Sequence, residues 1–339
     1  MHAEKKSGER EETNMTTARM SRRLVLGAVL ALPALPVHAQ SDWPRRPIRI
    51  IVAQPPGGNL DILVRAVAEG LRQELGTSVV VENRAGGNGV IGLEACATAT
   101  PDGTTFCAVN IENMASVPHV EPELFARYAS LRPVSQMASA RSAIVSSLDT
   151  PEGDLRAFVA WARGRSGLNY GSSGSGSAQQ LLFEWMKARD GLQIEHIPFR
   201  GIGDAFRELV GGRIQLSYGA LALALPQIRE RRIRPLAVLG SQRIPELPDT
   251  PSLGELGYDY PYAGPWWGLC APGATPDAIV TRMSQAVRNV VTNQDFAARM
   301  LAPSHFDGIG STPEEFAAVI TRERAASLEL VRLAGLVGR

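Results

Sequence analysis

From Ile48 onward the chain alternates short β-branched runs with longer stretches whose apolar residues return every three or four positions, the alternation of α/β layers. Residues 48–53 are almost continuously apolar, as in a strand buried on both faces of a parallel sheet. After the turn Pro55-Pro56-Gly57-Gly58, the positions Leu60, Leu63, Val64, Val67, Leu71 and Leu75 keep the rhythm of one helix face, and Gly76 stops it. The same reading predicts strands at 79–82, 106–109, 143–146, 168–170, 214–218, 236–239 and 267–271. It predicts helices at 91–99, 155–163, 178–189, 204–210, 276–292, 294–301 and 313–334.

The first forty residues follow a different pattern. A charged lead ending in Ser21-Arg22-Arg23 precedes an apolar run from Leu24, then Pro33, Pro36 and the small-residue site Val37-His38-Ala39. A basic segment, an apolar segment and an Ala-x-Ala-like site make a secretory signal, and the arginine pair resembles the twin-arginine type. Residues 1–39 are therefore expected to be removed in the periplasm, with Met15 or Met20 as the expected initiator. The apolar run is too short to cross a bilayer, which excludes a multi-span membrane protein.

Composition narrows the chemistry. The 339 residues are 20% charged with a formal net charge of +1, and no Lys/Arg stripe alternates with aromatics, so nucleic acid is not an expected partner. Beyond residue 39 the only lysine is Lys187, on the wet face of a helical pattern, which leaves no lysine for Schiff-base or P-loop chemistry. Cys96, Cys107 and Cys270 lack C-x-x-C spacing. Cys107 and Cys270 read as small buried hydrophobes, with a Cys96–Cys107 bridge as the alternative. His119, His196 and His305 show no spacing that suggests a triad or a metal site.

Two glycine-rich turns carry the functional signal. Gln54-Pro55-Pro56-Gly57-Gly58-Asn59 and Gly171-Ser172-Ser173-Gly174-Ser175-Gly176-Ser177 each lead from a strand into a helix, where free main-chain N–H groups and the helix dipole attract an anion. Tight turns need glycine anyway, and Ser177 with Gln180 has the spacing of a capping box. Neither turn matches a Walker loop or a dinucleotide fingerprint, and around Ser173 a nucleophile elbow would need glycine where Ser175 stands.

Pro47 to Asp61, Val79 to Gly92, Pro101 to Thr105, Leu168 to Ser172, Ile197 to Gly201, Leu209 to Ile214, Leu247 to Gly257 and Trp266 to Pro276 together resemble the Bug-type periplasmic solute-binding proteins. These TctC-like proteins are the extracytoplasmic receptors of tripartite tricarboxylate transporters. The resemblance runs in order through nearly the whole exported chain. It implies an α/β, two-lobed, type II periplasmic-binding-protein fold, each lobe a mixed, mostly parallel sheet flanked by helices, with two crossovers near Arg141 and Tyr258. Lobe 1 would be residues 40–140 plus 259–339, and lobe 2 residues 141–258. It implies a monomeric, non-enzymatic receptor, without metal or cofactor, that closes on a small carboxylate and delivers it to membrane permease subunits.

Carried over by position, Gln54, Gly57, Gly58, Asn59 and Asp61 would form one jaw, and Ser172, Ser173, Ser175, Gly176 and Ser177 the other, gripping the carboxylate through main-chain amides. Arg200 and Asp204 are secondary candidates. Asp61 has a competing role as a first-turn acid, and Asp204 as a cap of the following helix. The chain departs from the family at Gln54, usually aromatic, at Gln180, often histidine, and at Gly219, often aspartate, which leaves the ligand open among tricarboxylates, dicarboxylates, amino acids and aromatic acids. Two other classes remain. A periplasmic sensor that acts on a histidine kinase would keep the same cleft, and a secreted serine hydrolase would need a serine activated by a histidine.

Overall fold

Ile48–Val52 forms β1, and its alternating side chains serve two different cores. Ile48, Ile50 and Val52 face helix α1 (Asn59–Leu75), whereas Ile51 faces α2 (Val90–Ala97). Burial on both faces explains why this run is apolar throughout. The computed structural model describes residues 43–262 and 264–338, which fall within one compact unit. The leader and its expected cleavage site lie outside the described residues.

The first sheet has the order β11-β4-β10-β3-β1-β2 and adds β2 (Val79–Asn83), β3 (Thr105–Asn110), β4 (Arg132–Ala140), β10 (Trp266–Ala271) and β11 (Phe306–Gly308). Around it lie the short helices α3 (Val117–Val120), α4 (Pro122–Ala126) and α10 (Gln294–Phe296), and the longer α9 (Asp277–Val291) and α11 (Pro313–Leu333). The expected helix 294–301 is split: after α10 it continues as a π-helical turn over Ala297–Leu301.

The second sheet runs β7-β6-β8-β5-β9, with β5 (Ser142–Ser146), β6 (Leu168–Ser172), β7 (Ile194–Pro198), β8 (Leu216–Ala220) and β9 (Arg234–Val238). Helices α5 (Leu155–Ala162), α6 (Ala178–Asp190), α7 (Ile202–Val210) and α8 (Leu221–Arg229) flank it. Both sheets are mixed, but parallel pairing is confined to β2-β1-β3 and β7-β6-β8, a smaller share than the expected mostly parallel sheets. The reason is the strands that pass between the sheets. β5 follows β4 directly and enters antiparallel to both β8 and β9, and β10 enters antiparallel to β3 and β4.

The lobes are pressed together at several points. Arg141, the residue between β4 and β5, pairs with Glu246 of the second lobe at 2.9 Å and with Asp307 on β11 of the first at 3.1 Å. Leu181 of α6 packs in the first lobe's core with Val120, Tyr262 and Trp266, and Ala220 joins the core around α1 and α9. Cys107 does not stay a lone hydrophobe. It is bonded to Cys96, with Cα atoms 6.0 Å apart, tying α2 to β3, while Cys270 is the free, buried cysteine among the described residues.

Candidate functional site

The first glycine turn is built by its own helix. Gly57 takes φ +86°, a conformation that favours glycine, whereas Gly58, the residue before α1, is extended at φ −79°. Asp61 is buried and accepts from the Gly57 N–H at 2.9 Å, Arg65 Nε at 3.0 Å and Asn83 Nδ2 at 2.9 Å. Asn83 also donates to the Gln54 carbonyl, so this network holds the turn from below. The competing structural role of Asp61 is therefore the one its geometry displays, and the Gly57 amide is spent on the protein. Burial would raise the Asp61 pKa. The hydrogen bonds from Arg65, Gly57 and Asn83, with the Arg65 charge, outweigh it and hold Asp61 below the ordinary carboxylate range.

At neutral pH Asp61→Asn is expected to lower stability by about 1.5–3 kcal/mol, the value of hydrogen bonds to a charged group. Because the folded pKa is depressed, this contribution is present above the unfolded value of about 3.9 and is lost as pH falls through the folded value. Urea unfolding should show the gap between wild type and variant narrowing from about pH 7 to about pH 3.

What the first turn leaves open is the end of α1. The N–H groups of Asn59, Leu60 and Asp61 have no acceptor within the helix, and no side chain caps it. Gly57 and Gly58 are exposed and Asn59 is half-buried.

The second turn is more self-contained. Ser172 Oγ is buried at its centre, within 3.0 Å of the Gly174 N–H, 3.1 Å of the Gly174 carbonyl and 2.5 Å of His196 Nε2. Gly176 donates its N–H to Gln180 Oε1 at 2.8 Å, and Ser177 Oγ caps α6 by accepting from the Gln180 N–H at 3.4 Å. This is a capping box displaced by one residue, since the glutamine reaches Gly176 instead of Ser177. Ser173 Oγ is bonded to Gln179, and Ser175 is exposed. Of the candidate amides, those of Gly57 and Gly176 are thus both engaged internally.

The Ser172–His196 pair was not legible from histidine spacing, because it joins neighbouring parallel strands across 24 positions. It is not an activated nucleophile. Ser172 has no exposed surface, and His196 is stacked on Tyr170 with its pKa lowered, chiefly by burial.

A segment packed against the second turn was not singled out in the sequence. Directly after β3, Glu112–Ser116 forms a π-helical turn. On one side Gly89 is wedged between Ala53 and Asn113, where a Cβ would come within 3.3 Å of both. On the other, Ser116 Oγ donates to the Gly176 carbonyl at 3.2 Å and Val120 borders Gly176. The second glycine turn therefore abuts this short stretch, and Gly89 beside Ala53 abuts its other side. The signal for it was an acid two residues beyond a strand that is buried throughout.

The secondary candidates lie further out. Arg200 is exposed on the turn after β7, beside the second loop through the Phe199 N–H bond to the Ser172 carbonyl at 3.0 Å. Asp204 is not the cap of α7, which is Gly201; it stands in the first turn and pairs with Arg207. Gly219 lies against the Phe206 ring, which a Cβ would approach to 3.1 Å, so a larger residue here would have to displace that ring by a few tenths of an ångström.

The sequence matches the family described as "Tripartite tricarboxylate transporter family receptor" over residues 63–336. The chain belongs to this receptor family. Protein BugT of Bordetella pertussis (strain Tohama I) is 32% identical over 333 residues, covering 94% of this chain and 97% of BugT. Among solved structures, the periplasmic binding protein BugD superposes with a TM-score of 0.75 at 26% identity, over 87% of this chain and 99% of BugD. The R. palustris protein Rpa4515, solved with adipate, gives a TM-score of 0.78 at 28% identity, over 87% and 99%. As a member of the receptor family the chain is a solute-binding protein of two lobes and not an enzyme.

Proposed function

We propose that this receptor captures a small organic carboxylate in the periplasm, between lobe 1 (residues 40–140 plus 259–339) and lobe 2 (141–258), and delivers it to the membrane subunits of a tripartite transporter. The observation that carries the reading is the uncapped start of α1 beside Gln54, Gly58 and Asn59, which offers three N–H groups and the positive end of a 17-residue helix to an anion. The capped second turn, with Ser173, Ser175 and Ser177, closes on the other side of the ligand. Adipate in Rpa4515 supports a carboxylate as the ligand class.

A thermal-shift screen of the exported chain against mono-, di- and tricarboxylates and amino acids tests the reading. A ligand at about 100 times its Kd adds about 2.7 kcal/mol of stability, a clear upward shift in Tm. No shift with any carboxylate refutes it.

A further inference from the structure

Besides the apolar contact around Leu181, the two lobes meet through charges at the first crossover. Arg141, between β4 and β5, opens its guanidinium as a fork: one terminal nitrogen donates to Glu246 Oε2 at 2.9 Å and the other to Asp307 Oδ1 at 3.1 Å. Glu246 belongs to lobe 2 and Asp307 to lobe 1, so a single side chain in the crossover grips both. The second oxygen of Glu246 lies 3.5 Å from His305 Nδ1, a contact that passes directly from lobe to lobe. Asp307, Arg141, Glu246 and His305 thus form one continuous chain of ionisable groups.

Each end of this chain is mounted on the core of its own lobe. Ile244 and Leu247, on either side of Glu246, are buried with Val145, Leu221 and Leu225. Phe306, between His305 and Asp307, is buried edge-on to Trp267, and its pairing with Ala140 sets both neighbours beside the end of β4. His305 takes φ +54°, a backbone state uncommon outside glycine, yet the turn carries an imidazole there. Because two separate cores hold these groups, moving one lobe against the other stretches the contacts, whereas long side chains on an open surface would follow the motion. All four residues are half-buried, so salt weakens their attraction without abolishing it.

We infer that Asp307, Arg141, Glu246 and His305 form an electrostatic clasp that holds the two lobes in their present arrangement and sets part of the free energy of moving them. The inference needs the two lobes and no particular ligand, so it stands or falls apart from the carboxylate reading. Its consequence for capture follows from linkage. Loss of the clasp weakens a ligand that favours this arrangement and strengthens one that favours another, by at most the factor through which the lobe equilibrium shifts.

The test uses the exported chain and two variants that keep shape but lose a charge. Glu246→Gln removes the ion pairs with both Arg141 and His305, Asp307→Asn removes the one at the other end, and circular dichroism confirms that each protein is folded. Nitroxide labels on Ser78→Cys in lobe 1 and Ser166→Cys in lobe 2, both exposed sites, report the interlobe distance by double electron–electron resonance, while buried Cys270 takes no label. Wild type at low salt should give one narrow distance population. Glu246→Gln should raise the population outside it about two- to thirtyfold, as expected for the loss of two partly exposed ion pairs, and Asp307→Asn should raise it less. Raising NaCl from about 0.01 M to about 1 M, which cuts the screening length from about 30 Å to about 3 Å, should broaden wild type towards the variants and change Glu246→Gln little. Distances in folded Glu246→Gln and Asp307→Asn that match wild type, or a salt response shared equally by wild type and Glu246→Gln, overturn the inference. Either result leaves the receptor reading to the thermal-shift screen.

Discussion

Asn59→Pro is expected to bind the carboxylate found by the screen about 10- to 150-fold more weakly than Asn59→Ala, without melting earlier. Asn59 is the first residue of α1, where proline is favoured because its N–H has no helical partner. The preceding Gly58 is already extended at φ −79°, ψ 167°, the conformation a following proline requires. The substitution therefore removes one main-chain donor from the open helix end and disturbs little else. Asn59→Ala removes the side chain alone, so the difference between the two isolates the amide. A charge-assisted hydrogen bond is worth about 1.5–3 kcal/mol, which sets the expected range. Calorimetry on both variants measures it, and equal affinities would move the anion away from α1.

The second large effect concerns stability. Reduction of the Cys96–Cys107 bond is expected to destabilise the receptor by about 3 kcal/mol, the loop-entropy value for a closed loop of about this length. The bridge anchors α2 against β3, and β3 leads straight into Glu112–Ser116, so its loss loosens the support of the lobe junction. Urea unfolding with and without dithiothreitol should show the difference in wild type and none in a Cys96→Ala/Cys107→Ala double variant. Cys270 provides an internal control. It is fully buried and its thiol pKa is raised by burial, so it should resist alkylation in the folded state.

The internal engagement of Gly57 and Gly176 changes how the family's grip is expressed in this chain. Main-chain amides of both loops were expected to hold the ligand, but Asp61 and Gln180 occupy these two. The N–H groups of the first turn of α1 have no acceptor within the helix, whereas the Ser173 and Ser177 hydroxyls of the second turn are bonded to Gln179 and Gln180.

Elements whose own residues carry the pattern were legible in the sequence. The strand at 48–53, the α1 face from Leu60 to Leu75 and the long α11 appear within a few residues of their expected bounds, because burial on a face or a stripe demands apolar residues at fixed intervals. The family motifs likewise located both glycine turns. β4 escaped notice because Arg132–Ala140 holds few β-branched residues; it is a strand because β10 and β11 supply hydrogen bonds on its two sides. α8 was hidden by Pro226, an unfavourable residue within a helix interior. β7, at the sheet's edge, is partly exposed and lacks a continuous apolar run.

The sequence by itself determined the α/β architecture, the two turns where helices begin and the family, since each depends on residues near one another in the chain. Tertiary structure alone decided which of those turns is open, the pairing of Ser172 with His196, the choice of Cys96 as the partner of Cys107, and the contact of Ser116 with Gly176. Each of these depends on distances between residues from different elements, and hydrogen bonding, desolvation and charge pairing follow such distances and not position along the chain.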